Sequence, residues 1–181
     1  MLKKLTRKYS CIAILLLVGN LTYSQDIIIG GVNKSRLLTW NDFKGEPDRG
    51  SSYDANTFWN ITYNIRGISF RGDTAKIDRF SVILTLDENL SWSKPEKQTA
   101  ILLKHEQGHF DIGLICQREI IDQLNNTVFL KTTFKDKIPS IFSSTLEKYH
   151  LLQEKYDAET DHSKNQAAQD TWNNFIAGKL K

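Results

Sequence analysis

His105-Glu106-Gln107-Gly108-His109 constrains this chain more than any other stretch. An α-helix turns once in about 3.6 residues, so two histidines four apart share a face and present their imidazoles one turn from each other. That pair is a two-point grip for a metal ion. Zinc is bound by imidazole nitrogen at about 2.0–2.1 Å, and catalytic zinc sites use three protein ligands with one position left open for water. Glu106 directly follows the first histidine, the place from which a carboxylate serves as general base to the water.

The surroundings favour a helix. Ser93-Lys94-Pro95-Glu96 reads as a capping box with proline in the first turn, and no further proline occurs from Glu96 to about Asn125. Leu103, Phe110, Leu114, Ile121 and Leu124 form one apolar stripe, which Ile101, Ile112, Cys116 and Ile120 widen. The motif is therefore expected in a largely buried helix. The plain alternative is a pair of core histidines satisfied by ordinary hydrogen bonds.

The chain opens with a basic segment (Lys3, Lys4, Arg7, Lys8), an apolar run Ile12–Val18 and the small residues around Thr22 and Ser24. Residues 1–25 are expected to be a secretory signal peptide, with the apolar run too short to span a bilayer comfortably. Without them, the 24 basic side chains fall by four to 20 against 21 acidic ones, a balance of −1. Nothing in that balance points to nucleic acid or to an anionic membrane surface, and no membrane anchor is expected in the mature form. Cys116 is then the one cysteine left, so no internal disulfide is expected, and core packing is its expected role. Residues 26–181 suffice for a single domain with a real core.

Its organisation is β-rich first and helical second, an α+β class. Phe58–Ile65 and Ile68–Phe70 alternate as half-buried strands, and Ala75–Ile77 through Phe80–Leu86 supply more, giving a small antiparallel or mixed sheet before the metal-site helix. Trp40 and Phe43 are expected to pin the preceding segment onto the body of the domain. Two further helices follow, Ser140–Tyr156 and Asn165 to about Leu180, separated by a polar break at residues 157–163.

The third ligand must come from a separate element, because the next histidine after His109 is His150. His150 falls beside the apolar stripe of its helix and reads as an edge or core residue. His162 lies in the polar break, where a loop can aim a ligand, and is the expected third ligand. Asp157 and Glu159 are the alternatives, either as ligands or as groups orienting one. Asp111 is a further candidate for holding a histidine tautomer, and Tyr156 for donating to a developing oxyanion.

The early Leu38-Thr39-Trp40-Asn41-Asp42-Phe43-Lys44-Gly45, Ser91-Trp92, the stretch His105–Ile112 and the late Tyr156–His162 together resemble domain-of-unknown-function family 922 over nearly the whole of residues 26–181. Its members are bacterial exported proteins described as predicted secreted zinc-dependent proteases. The resemblance implies a zincin-like α+β domain with His105, His109 and His162 on zinc and Glu106 as base. Ser163 departs from its pattern, where a glycine usually follows the late histidine. A periplasmic or extracellular zinc metalloprotease acting on a peptide or protein is therefore the expected function. The alternatives are a non-catalytic exported module binding metal or peptide, and a zinc amidase acting on cell-wall material.

Overall fold

The computed structural model describes residues 23–29, 31–33 and 37–181. The expected signal peptide lies outside the described residues except for Tyr23–Gln25, which open the first strand.

Strands β1 (Tyr23–Ile29) and β2 (Val32–Asn33) are followed by the short β3 (Ala55–Asn56), by β4 (Trp59–Ile65), β5 (Ile68–Arg71), β6 (Thr74–Ile77), β7 (Phe80–Leu86) and the short β8 (Trp92–Ser93). Helix α1 (Ala100–Asn126), strand β9 (Phe129–Leu130), and helices α2 (Phe134–Thr160) and α3 (Gln166–Leu180) complete the α+β order. The main sheet runs β2-β1-β7-β4. Its centre, β7, buries Phe80, Val82, Leu84 and Leu86 on one face, the period of two that the sequence shows. β4 pairs antiparallel with β7, Trp59 opposite Leu86, whereas β1 pairs parallel with it, Ile29 opposite Leu86. Two smaller sheets, β3-β8 and β5-β6-β9, flank the first.

Helix α1 lies across this layer, and two glycines set how closely its neighbours approach. A Cβ on Gly113 would stand 2.8 Å from Trp59 Cδ2, and one on Gly108 would stand 2.3 Å from the Tyr156 hydroxyl. The sheet and α2 thus touch α1 where it has no side chain, which draws both toward its histidines. On the far side the Leu38 amide donates to Gln107 Oε1 at 2.8 Å, and Phe43 is buried with its ring 5.2 Å from that of Trp40. That segment is pinned as expected.

Three boundaries differ from the sequence reading. Helix α1 starts at Ala100, where the Thr99 hydroxyl accepts from the Leu102 amide, and Pro95–Lys97 make only one tight turn. Ser93 does not cap it: the residue sits in β8 opposite Ala55, and its hydroxyl accepts from Gln98 Nε2. Ile101, expected on the apolar stripe, is half exposed. Helix α2 is the largest correction, since it starts at Phe134, carries Pro139 in its second turn and runs on to Thr160. The polar break begins only at Asp161, whose left-handed backbone closes the helix. The apolar stripe fades toward the end of α2 because that face borders a cleft, not because the helix stops. Cys116 is fully buried with its sulfur 4.0 Å from the Thr145 carbonyl, and burial pushes its thiol up to about 12. Among the described residues no helix is long and apolar enough to cross a membrane.

Candidate metal centre

His105 and His109 project from the same face of α1, 1% and 7% exposed, with ring centroids 5.0 Å apart and planes nearly perpendicular. Both Nε2 atoms lie 3.0 Å from one atom, Asp157 Oδ1. Ligand atoms of the three side chains all stand within 4.8 Å of one another. Asp157 comes from the last turn of α2, so two helices supply the group. Burial alone would push its carboxyl up, but hydrogen bonds to His105 and His109, with their charge, hold it well below the usual carboxylate range. Burial also opposes charge on His109, yet the contact with Asp157 and the negative charges of Glu106 and Asp157 raise its pKa above the ordinary value.

The carboxylate brought to the two imidazoles is thus one of the alternatives weighed beside His162. His162 stands next to it, with Nδ1 3.3 Å from Asp157 Oδ1 and its ring 4.4 Å from that of Tyr53. It belongs to the same cleft but not to the three-residue cluster. It sits in a run of three non-glycine residues in the left-handed region, with φ of 46° at Asp161, 48° at His162 and 78° at Ser163. Such backbone is strained and collects at sites where a side chain must be aimed.

Three other candidates stand elsewhere. Glu159 is turned to α3, where its Oε2 accepts from Trp172 Nε1 at 2.8 Å. Asp111 accepts from Gln107 Nε2 at 3.0 Å and lines a separate cleft with Asn173 and Ile176. Tyr156 is fully buried under His105, its ring stacked on the imidazole at 4.6 Å and its hydroxyl donating to the His105 carbonyl at 3.1 Å. An oxyanion donor must face the substrate, and this hydroxyl faces the backbone of α1 instead.

Glu106 is 3% exposed and shares a cleft of about 350 Å³ with the three clustered side chains. The Thr57 hydroxyl, between β3 and β4, donates to Glu106 Oε2 at 2.6 Å. Tyr53, Asn56, His150, Gln153, Glu154 and His162 are among the other residues that line it. Sequence reasoning missed three residues that complete the centre. Thr57 is one, Gln153 faces His109 Nδ1 at 3.2 Å, and Gln169 faces His105 Nδ1 at 3.0 Å. Gln153 precedes Asp157 by one helical turn, a spacing that becomes informative once α2 is known to continue that far.

The donor set suits a metal ion. Two imidazoles and one carboxylate are a recurrent ligand group for catalytic zinc, and here they border an accessible cleft instead of being sealed in the core. No curated protein and no solved structure matches the chain. Residues 29–163 match the family described as "Bacterial protein of unknown function (DUF922)", and this stretch takes in β4, β7, the whole of α1 and α2, and every member of the histidine–carboxylate cluster. The chain belongs to the DUF922 family.

Proposed function

We propose that this protein is an exported zinc-dependent peptidase with a zincin-like fold, in which His105, His109 and Asp157 would hold the metal and Glu106 is the general base. The observation that carries this reading is the position of Glu106. Its carboxylate lines the same cleft as the three-residue cluster and is anchored by Thr57, an arrangement for which a purely structural metal has no use.

Zinc, when bound, supplies a Lewis acid that polarises a substrate carbonyl and acidifies a water molecule. The remaining work falls to the chain. Glu106 accepts the proton of the attacking water and delivers it to the leaving nitrogen as the C–N bond breaks, so a single carboxylate is base and then acid. Thr57 keeps that carboxylate from rotating out of line. Tyr53 and His162 form a rim of the cleft next to Asp157, from which they would contact a bound substrate.

Zinc-loaded protein should cut denatured casein, and Glu106→Gln should abolish turnover while leaving the metal content unchanged. A Glu106→Gln protein that still cuts at the wild-type rate removes Glu106 from the base role. Cutting of purified peptidoglycan with casein untouched would move the reaction to a cell-wall amide.

A further inference from the structure

We infer that Gln153 and Gln169 are positioning residues that hold both imidazoles in the Nδ1–H form, so that both Nε2 lone pairs point at the place where Asp157 Oδ1 also points. The inference rests on the metal-centre reading above and adds the residues that preset it.

The proton positions follow from groups that can only donate or only accept. Trp59 Nε1 lies 2.9 Å from Gln153 Oε1. An indole N–H only donates, so the amide atom it meets is the oxygen. His109 Nδ1 faces that same oxygen at 3.2 Å and must therefore carry hydrogen. The second lock takes one more step. The Tyr156 hydroxyl gives its only proton to the His105 carbonyl, which leaves the phenol oxygen as an acceptor toward Gln169. The group meeting it at 2.7 Å is thus the Gln169 amide nitrogen, which also donates to Asn173 Oδ1 at 3.1 Å. Gln169 Oε1 is left for His105 Nδ1 at 3.0 Å, so that nitrogen too carries hydrogen.

With both Nδ1 atoms protonated, it is the Nε2 protons shared with Asp157 that must leave, and two imidazole lone pairs and a carboxylate oxygen 3.0 Å from each Nε2 then converge on one place, an arrangement that a metal ion relieves. Partners of this kind set ring orientation in metal sites and are usually carboxylates or backbone carbonyls. Here they are neutral amides, so the layer behind the ligands adds no negative charge to a site that already holds Asp157 and Glu106. The two glutamines differ in a way that can be tested. Among the described residues Gln153 makes hydrogen bonds only as an acceptor, so glutamate can replace it. Gln169 is both acceptor and donor, so glutamate would set a carboxylate against the phenol oxygen and the Asn173 oxygen.

The test measures zinc affinity of the full exported chain by chelator competition, with 15N-edited NMR of the histidine side chains in the zinc-loaded protein. Gln153→Glu should bind zinc within about threefold of wild type or tighter, whereas Gln153→Leu, Gln169→Leu and Gln169→Glu should each bind about 10–100-fold more weakly. Wild type should show Nδ1–H on both rings. Nε2–H on either ring, or Gln169→Glu binding as tightly as Gln153→Glu, overturns the inference. If a leucine variant fails to fold, the contrast between the two glutamate variants still decides. Wild type that takes up no zinc fails the metal reading itself, a result distinct from wild type that binds while all four variants match it.

Discussion

The Thr57 hydroxyl reaches from the connection between β3 and β4 to Glu106 Oε2 on α1, a distance of 2.6 Å. The residue proposed as base is thereby fixed by a different element from the one that carries it. Thr57→Val keeps the shape and removes the donor, so kcat should drop by about tenfold while zinc content is unchanged. Thr57→Ser should restore most of it. A Thr57→Val protein with wild-type kcat would show that Glu106 needs no such support.

Asp157 and His162 compete for the place of third ligand, and metal content separates them. Asp157→Ala should reduce bound zinc to well below one ion per chain. His162→Ala should keep the ion, because two imidazoles and a carboxylate remain clustered without it. The reverse pattern in elemental analysis would return the role to the histidine.

Metal-free protein should be most stable in mildly acidic solution. His109 is raised above 6.5, so its contribution is complete below that pH and fades as pH climbs through the folded value. Asp157 is lowered from 3.8, so its contribution holds above that pH and is lost as pH falls toward the folded value. Tm of the metal-free chain should therefore peak between about 4 and 6.5, judged from these reference values. Saturating zinc should move the optimum to higher pH, since ligands must shed protons to bind it. A metal-free Tm that rises steadily from pH 6 to 8 contradicts this assignment.

Gly108→Ala should destabilise the fold by about 1–3 kcal/mol, because overpacking outweighs the helix-propensity gain of about 1 kcal/mol. The added methyl would stand 2.3 Å from the Tyr156 hydroxyl, and displacing Tyr156 also removes the ring stacked on His105. Urea unfolding at fixed metal occupancy measures the cost, and a midpoint at or above wild type would refute the close approach.

Ser163 occupies backbone at φ 78°, where glycine rests without strain. Ser163→Gly should accordingly stabilise the protein by about 1 kcal/mol, strain relief exceeding the added entropy of the unfolded chain. The same urea series reports it, and a loss of stability would mean that the serine side chain contributes a contact of its own.

The grip of His105 and His109 was legible because a four-residue spacing within an apolar helix maps directly onto one face. β4 and β7 were legible for the same kind of reason, a period of two. What escaped depended on contacts between distant segments. The parallel pairing of β1 with β7 joins residues more than fifty positions apart, and its first three residues read as the end of a leader. Ser93-Lys94-Pro95-Glu96 has the composition of a helix start but is claimed by β8 and a tight turn, leaving Thr99 as the cap. The polar residues Asp157 and Glu159 looked like a loop because they lack apolar neighbours, although α2 carries them on opposite duties, one toward the imidazoles and one toward Trp172. Thr57, Gln153 and Gln169 have no local signature at all, and only the packed structure assigns them partners.

Asp157 leaves a continuous helix, and it meets side chains 48 and 52 positions earlier in the chain. An ion seated there would work as a rivet through the two longest helices, clamping the end of α2 and, through it, the start of α3. The supply of metal would then govern mechanical integrity as well as chemistry: a starved molecule keeps its sheet but loses the fastening of its two carboxy-terminal helices.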